Sequence, residues 1–334
     1  MRSGRPGVML PGAVRPADAK ELARAAERVG CDAIWVLDTR REPYLVAAAA
    51  LDATDAIEVG TNVAAAFARS PALTAAAAWD LSIWSGGRFT LGLGSQVGPT
   101  LRARFGVTAD HPGPRMRDYV SAVRSCFDAY VSGQGKYRGT FYEIPQPVFQ
   151  PGAEPDIRRP PIFVAAVNPY MASIAGSCAD GFAAHSFITE RYLTEVLRPA
   201  LAHGAKDANR TIPAVLLHLV VAPNREAAAL QMSVYTVPSY RRVLDHEGLR
   251  GVADQVIALC KAGHRTNAAI VIEERYLDLL GVGLLEDVPR LVARWAPLCD
   301  RLCLSVPWFG LDAGDQLSLA HDLLDAIESL PIVT

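Results

Sequence analysis

The sequence predicts a closed (β/α)8 barrel of parallel strands, the TIM-barrel form of the α/β class. Eight short apolar runs alternate with helical segments along the 334 residues, and this alternation is typical of a parallel sheet with right-handed crossovers. The runs are apolar without a period of two, which indicates strands covered on both faces. Eight repeated units favour a closed barrel over an open sheet.

The elements follow from the positions of apolar runs and of helix start and stop signals. Pro16 opens the first helix and Gly30 ends it, as expected for a proline at the start of a helix and a glycine after its end. The eight predicted strands span residues 7–11, 31–38, 57–63, 88–95, 161–167, 180–187, 214–222 and 301–308. Helices are predicted over residues 43–54, 71–85, 171–179, 189–208 and 315–330, and an amphipathic helix around residues 116–130.

Three stretches depart from the simple repeat. The fourth strand is followed by a short basic and polar segment that runs to Phe105, and residues 132–160, which are rich in Gly, Pro and aromatic residues, predict an excursion with a hairpin. Residues 224–300 have a helical pattern and are longer than one crossover requires, so we expect a helical insertion after strand seven. We interpret residues 1–334 as one barrel domain.

Composition excludes several classes of function. The formal net charge is -2 and no basic block occurs, so we expect neither nucleic acid nor an anionic membrane as a partner. No signal peptide and no run long enough to span a bilayer are present. The six cysteines form no C-x-x-C motif and lie mostly in apolar segments, which predicts reduced thiols in a cytoplasmic protein.

The stretch 88–96 ends a predicted strand in a glycine-rich loop. A glycine at such a place allows a ligand to approach the backbone closely, and it is equally consistent with a tight turn. The spacing of Gly92, Gly94 and Gly98 differs from the G-x-G-x-x-G dinucleotide fingerprint, and the stretch lies far from the first strand. We therefore exclude a dinucleotide-binding site of that type.

The candidate site residues are those that end the strands, because TIM-barrel active sites lie at the carboxyl ends of the strands. The candidates are Asp38, Thr39, Thr61, Asn62, Val63, Gly94, Ser95, Gln96, Val97, Ala166, Val167, Asn168, His185, Ser186 and Phe187. Trp308 and Phe309 end strand eight, where a place in the barrel wall is favoured.

The types of residue at these ends exclude several chemistries. No H-x-H or H-E-x-x-H motif occurs, so no metal site is expected. No G-x-S-x-G elbow and no strand-end lysine for a Schiff base are present. Neutral hydrogen-bonding groups beside small residues instead suit a planar cofactor that supplies its own reactivity, together with a small-molecule substrate.

Structural roles compete with functional ones at several candidates. Asp38 is compatible with capping the next segment or with pairing with Arg40 or Arg41. His185 is compatible with a satisfied polar residue beneath a loop, and Asn62 with a residue that only closes a turn. The other histidines, including His218, are scattered and carry no functional hypothesis.

Several stretches together resemble the luciferase-like monooxygenase superfamily, and within it the branch of F420-dependent oxidoreductases. The matching stretches cover most of the chain to about residue 200 and take in residues 60–63, 69–71, 85–94, 115–120, 162–167 and 179–189. Residues 235–244, with Pro238 and Tyr240, resemble an actinobacterial subgroup.

The resemblance implies a luciferase-like barrel with coenzyme F420, or alternatively FMN, at the strand ends. It implies a cis peptide at Asn62–Val63 behind the cofactor ring, and loops after strands five and six that hold the phosphate. The phosphate contacts would come from Ala166, Val167, Asn168, His185 and Ser186, and from backbone N–H groups that begin the helix after Asn168. It also implies a homodimer.

The same resemblance leaves the proton donor open. Arg41 and Thr100 stand where a histidine is common in the closer subgroup, so Asp38 is the best candidate to donate or accept the proton, with Thr39, Asn62 and Gln96 lining the ring. We expect hydride transfer between F420 and an imine, an enoyl group or an alcohol. An FMN-dependent monooxygenase and a non-catalytic flavin-binding barrel are the alternatives.

Overall fold

A computed structural model describes residues 5–147 and 158–331. The first half of the chain contributes strands β1 to β7, which are Gly7–Met9, Ala33–Val36, Glu58–Thr61, Ala64–Ala65, Phe89–Gly94, Tyr137–Arg138 and Glu143–Ile144. The second half contributes β8 to β12, which are Ile162–Ala166, Gly181–Ala184, Ala214–Ala222, Val282–Leu284 and Arg301–Ser305.

Eight of these strands close into a parallel barrel. Around the ring the order is β1, β2, β3, β5, β8, β9, β10 and β12, and β12 pairs again with β1. The closure between β9 and β10 is a parallel pairing in which Gly181 lies beside Ala214. The predicted (β/α)8 barrel is confirmed, and all its strands carry their carboxyl ends to one face.

Helices surround the barrel and fill the crossovers. From the amino terminus they are α1 to α7, namely Pro16–Val29, Pro43–Asp52, Pro71–Ser85, Gly98–Phe105, Pro112–Ser132, Pro169–Cys178 and Glu190–Tyr192. They continue with α8 to α14, namely Arg198–Asp207, Arg225–Tyr235, Arg241–His246, Arg250–Lys261, Arg265–Arg275, Val288–Trp295 and Ala313–Glu328. A π-helical turn, Leu193–Leu197, joins α7 to α8, so residues 190–207 form the long helix that the sequence predicts.

Two predicted segments hold elements that the sequence did not indicate. The polar stretch before Phe105 is the helix α4, which a glycine in the left-handed conformation, Gly106, ends. The stretch 224–300 is not helical throughout, because β11 lies within it and pairs with the end of β10. Part of the predicted excursion forms the hairpin β6–β7, and its residues 148–157 lie outside the described residues.

Alternate residues of each strand face either the helices or the lumen of the barrel. Phe89, Leu91 and Leu93 of β5 belong to the large core between barrel and helices. A second, smaller cluster fills the lumen and consists of Met9, Ala33, Trp35, Phe163, Ala183, Leu216 and Cys303, with Leu37, Val63 and Ala165 packed against it. The same alternation of inward and outward positions identifies which side chains just beyond the strand ends face the lumen.

The amino-terminal end of the lumen is held together by a buried arginine. Arg301 is 6% exposed, pairs with Asp32 at 3.0 Å and with Glu58 at 2.7 Å, and lies 5.2 Å from the centre of the Trp35 ring. A buried pair of this kind is costly to break because the remaining charge is left without a partner. Chemistry in the lumen is therefore expected at the opposite, carboxyl-terminal end.

Candidate active site

The strand ends that the sequence singles out lie side by side at one face of the barrel. β3, β5, β8 and β9 are consecutive neighbours, and the extension β4 continues β3 along β5. Near these ends the paired residues are Ala65 with Gly94, Leu93 with Val164, and Ala166 with Ala184. Asn62 and His185 therefore lie three inter-strand steps apart, about 15 Å along the curved wall of the barrel.

A bulge separates β3 from β4 and contains the expected cis peptide between Asn62 and Val63. The glycines of β5 make room for this bulge. A Cβ atom on Gly92 would lie 1.9 Å from the carbonyl oxygen of Thr61, and a Cβ on Gly94 would lie 2.5 Å from Cγ2 of Val63. The close approach predicted for a ligand is thus first of all a close approach of the neighbouring strand.

Asp38 follows β2 and is 4% exposed. Its Oδ2 accepts hydrogen bonds from the backbone N–H of Ala65 at 3.0 Å and from Nη1 of Arg69 at 2.8 Å. Nη2 of Arg104 lies 3.6 Å from Oδ1. The ion-pair partners are therefore Arg69 and Arg104, and not Arg40 or Arg41, which the sequence suggested as alternatives.

Thr39 links two loops at the mouth. Its hydroxyl donates to the carbonyl oxygen of Gly12 at 2.8 Å, so it has no proton left for a ligand while that bond exists. Arg104 of α4 donates to the carbonyl oxygens of Asp38, at 3.0 Å, and of Thr39. Together these bonds hold the loop after β2, and a catalytic role for Asp38 or Thr39 stays a prediction.

Two buried polar atoms at the predicted strand ends have no hydrogen-bond partner among the described residues. They are Nδ2 of Asn62, in a residue that is 8% exposed, and Oγ of the fully buried Ser186. Because a buried donor without a partner is costly, such groups mark places where a ligand can supply an acceptor. Asn62 lies at the bulge beside the lumen, which makes it the clearer of the two.

Other predicted residues are committed to the barrel wall. The hydroxyl of Thr61 donates to the carbonyl oxygen of Gly92 at 2.7 Å and accepts from its N–H at 2.9 Å. The side chains of Ala166 and Phe187 belong to the outer core. Only backbone atoms of these residues are available as cofactor contacts, whereas Val63, Ser95, Gln96, Val97 and Val167 are partly exposed at the mouth.

The start of α6 offers fewer free N–H groups than the resemblance implies. Pro169, its first residue, has no N–H. Oδ1 of Asn168 accepts from the N–H of Met171 at 2.9 Å, and the carbonyl oxygen of Asn168 accepts from Ala172 at 3.0 Å. The N–H of Tyr170 is the one that remains in the first turn, so an anion there needs further partners.

His185 follows β9 and faces the lumen, because Ala183, two residues earlier, belongs to the lumen cluster. Its Nδ1 accepts a hydrogen bond from the backbone N–H of Phe187 at 2.9 Å. Burial, with a smaller contribution from nearby His218, lowers the pKa of His185 to about 3. At neutral pH it therefore offers a neutral donor, and not a cation, to any ligand.

His218 is a residue that the sequence analysis missed. It lies in β10 two positions after Leu216, so it also faces the lumen, and its Nε2 is 2.6 Å from Oγ of Ser305 in β12. Burial lowers the pKa of His218 to about 4. The sequence did carry a signal, because this histidine occupies one of the alternate, lumen-facing positions of the longest apolar run.

Aromatic residues from the crossover after β10 cover His185. Tyr235, at the end of α9, meets the His185 ring edge to face with centroids 4.4 Å apart, and Tyr240 lies 5.2 Å from it. Nε1 of Trp308 donates to the hydroxyl of Tyr235 at 2.9 Å. Trp308, which we expected in the barrel wall, is therefore part of this aromatic cover.

The mouth of the lumen thus has two unlike halves. The apolar half comes from β2, β3, β5 and β8 and consists of Leu37, Val63, Gly94 and Ala165. The aromatic half comes from β9, β10, β12 and the crossover after β10, and consists of His185, His218, Tyr235, Tyr240, Ser305 and Trp308. Within residues 5–147 and 158–331, no group of acidic, Cys or His side chains could hold a metal ion.

A closed parallel barrel with its polar groups at the carboxyl-terminal mouth defines a TIM-barrel protein of the enzyme type. The model of the luciferase-like monooxygenase family matches residues 2–297, and the chain belongs to that family. The resemblance and the prediction of an enzyme are both confirmed. No helix in the part of the chain that the structure describes has the length and apolar character to cross a membrane.

Three similar proteins illustrate the relationship. A Mycobacterium tuberculosis protein of uncharacterised function is 35% identical over 80% of this chain and 82% of its own length. An F420-dependent glucose-6-phosphate dehydrogenase of Amycolatopsis mediterranei is 29% identical over 59% of this chain and 62% of its own length. The F420-dependent tetrahydromethanopterin reductase of Methanopyrus kandleri has the same fold, with a TM-score of 0.80, 18% identity and 98% of both chains covered.

Proposed function

We propose that this protein is an F420-dependent oxidoreductase that transfers a hydride between the deazaflavin and a small organic substrate, namely an imine, an enoyl compound or an alcohol. Relatives named as F420-dependent enzymes support the choice of cofactor. The homodimer that the resemblance implies and the cytoplasmic location that the cysteines predict stay predictions.

The observation that carries the proposal is the buried donor of Asn62 at the edge of a lumen lined by small residues. Nδ2 of Asn62 has no partner among the described residues. On the same side, Gly94 and Ala165 leave little side chain above the lumen cluster. A flat ring with acceptor atoms along its edge fits this combination, because it satisfies the donor and covers the apolar surface.

When bound, the deazaflavin supplies or accepts the hydride at the central carbon of its ring. The residues of this chain bind and orient the cofactor and the substrate for that reaction. Asn62 donates a hydrogen bond, the apolar half excludes water, and the loop of Asp38 is held by Arg69 and Arg104. Asp38 accepts hydrogen bonds from Arg69 and from the N–H of Ala65 and so holds the loop that carries Thr39, and it remains our candidate to donate or accept the proton.

Titration with each cofactor tests the proposal. Purified protein is mixed with F420 and, separately, with FMN, and the shift of each absorbance band and the quenching of fluorescence are measured. We expect saturable binding of F420 and weaker or no binding of FMN. Tight FMN binding with oxygen consumption after reduction would instead support the monooxygenase alternative. F420 binding without turnover of any reductant or substrate would support the non-catalytic alternative.

Two isosteric variants make the test specific to the carrying residue. Asn62→Asp replaces the Nδ2 donor by an acceptor of the same shape, and we expect F420 affinity to fall about tenfold or more. Asn267→Asp makes the same chemical change at an exposed position of α12 and serves as the matched control. Equal F420 affinity of the two variants would remove Asn62 from the site.

A further inference from the structure

The aromatic half of the mouth contains a hydrogen-bond donor whose proton position is fixed. Nδ1 of His185 accepts from the backbone N–H of Phe187, and an N–H group can only donate. In the neutral imidazole the proton is therefore on Nε2. Among the described residues Nε2 has no hydrogen-bond partner, although the ring faces the lumen and is partly exposed.

Aromatic surfaces surround this donor. The ring of Tyr235 meets His185 at 88°, the ring of Tyr240 lies at 55° to it, and His218 lies behind it with centroids 6.2 Å apart. Tyr235 is held by its bond from Trp308, so the surfaces are fixed in place. A flat molecule resting against these rings would bring an acceptor atom to Nε2.

The same half is uncharged at neutral pH. Burial lowers the pKa values of His185 and His218 to about 3 and about 4 and raises those of Tyr235 and Tyr240. Ser305 and Trp308 do not ionise in the accessible range. An anionic group placed against these six residues would lose its hydration without gaining a cation, which is costly.

We propose that the aromatic half is the substrate subsite, that it takes an uncharged flat molecule with a carbonyl or imine acceptor, and that Nε2–H of His185 donates a hydrogen bond to that acceptor. This assignment replaces the contact to the cofactor phosphate that the resemblance implies for His185. This inference rests on the proposed function, because it assigns the substrate side of the same mouth. It separates the chain from relatives whose named substrate carries a phosphate, such as the glucose-6-phosphate dehydrogenase.

Binding of benzylideneacetone, a neutral aromatic enone, tests the inference by calorimetry. It is measured on the protein alone and on protein saturated with oxidised F420, beside two analogues: a hydrocarbon without the carbonyl and a derivative with a carboxylate on the ring. We expect the carboxylate derivative to bind at least tenfold more weakly than the parent enone.

Two variants of His185 separate the donor from the structural bond. His185→Asn keeps an acceptor at the position of Nδ1 for the N–H of Phe187 but does not reach the position of Nε2. His185→Gln places a donor near the position of Nε2. We expect the first to weaken enone binding at least tenfold and the second to stay within about threefold of the parent protein, with no change for the hydrocarbon. His203→Asn, at an exposed position of α8, is the matched control.

The outcomes distinguish this inference from the proposed function. If F420 does not bind the parent protein, the proposed function fails. Three results would refute the inference alone, provided that F420 binds. The enone does not bind the parent protein, it binds His185→Asn as tightly as the parent protein, or the carboxylate derivative binds the parent protein as tightly as the enone does. Should His185→Asn not fold, the ¹⁵N resonance of Nε2 in the parent protein decides, since it must shift on enone binding but not on hydrocarbon binding.

Discussion

Acidification from pH 8 to pH 5 tests the burial of His218 directly. Its ring is 8% exposed, lies in the lumen and bonds to Ser305, and burial lowers its pKa from 6.5 to about 4. In the unfolded chain the imidazole regains its ordinary pKa. Between these two values the unfolded state binds a proton that the folded state does not, so stability falls as the pH falls through this window.

The magnitude follows from the two pKa values. At pH 8 neither state is protonated at His218, so the residue makes no pH-dependent contribution. At pH 5 the unfolded state is almost fully protonated there and the folded state mostly neutral. With 1.36 kcal/mol for each pKa unit, the difference amounts to about 2 kcal/mol of lost stability at pH 5.

Urea unfolding of the parent protein and of His218→Gln at both pH values measures this loss. Glutamine does not titrate and can still donate to Ser305, and every other group, including His185, is present in both proteins. We expect the parent protein to lose about 2 kcal/mol more than the variant between pH 8 and pH 5. Equal losses would mean that His218 titrates normally in the folded protein and would refute its burial as described.

Two further predictions concern the strand ends. Gly92→Ala should lower the free energy of unfolding by about 1–3 kcal/mol, because its Cβ would lie 1.9 Å from the carbonyl oxygen of Thr61. Gly98→Ala is the control and should change the free energy of unfolding little, because its Cβ would have nothing within 4 Å. Thermal unfolding compares the two variants, and equal midpoints would contradict the packing argument. Asp38→Asn should destabilise the protein by about 2 kcal/mol because Arg69 loses a charged partner, and it should lower turnover more than F420 affinity because the candidate proton donor is removed; unchanged unfolding together with unchanged turnover would rule out both roles.

The barrel was predictable because its signals are local. Each barrel strand is a short apolar run, and several helix boundaries carry a proline, a capping residue or a glycine, as at Pro16 and Gly30. Strand seven was predicted with the bounds that the structure has, Ala214–Ala222. The other barrel strands end one to three residues earlier than predicted, because the apolar run continues into the loop after the last ladder hydrogen bond, as after Ala184.

The candidate site was predictable only in part, because its residues meet through the fold. The rule that active sites lie at strand ends identified Asn62 and His185 without any knowledge of their partners. It could not indicate that Arg104, from a segment expected to be irregular, reaches back to the loop after β2. It also overlooked His218, since a single histidine in an apolar run is more often a core residue than a site residue.

The distribution of charge at the mouth restricts the chemistry that the chain can perform. The carboxylate among the predicted strand-end residues, Asp38, is occupied by Arg69, Arg104 and the N–H of Ala65. The groups opposite, around His185, are neutral donors held in fixed positions. Under the proposed function the neutral donors polarise an acceptor atom, and the proton for a reduced substrate comes from Asp38, from water or from the substrate itself. An enoyl or carbonyl substrate suits such a site, because hydrogen bonds are sufficient to stabilise the charge that develops on its oxygen.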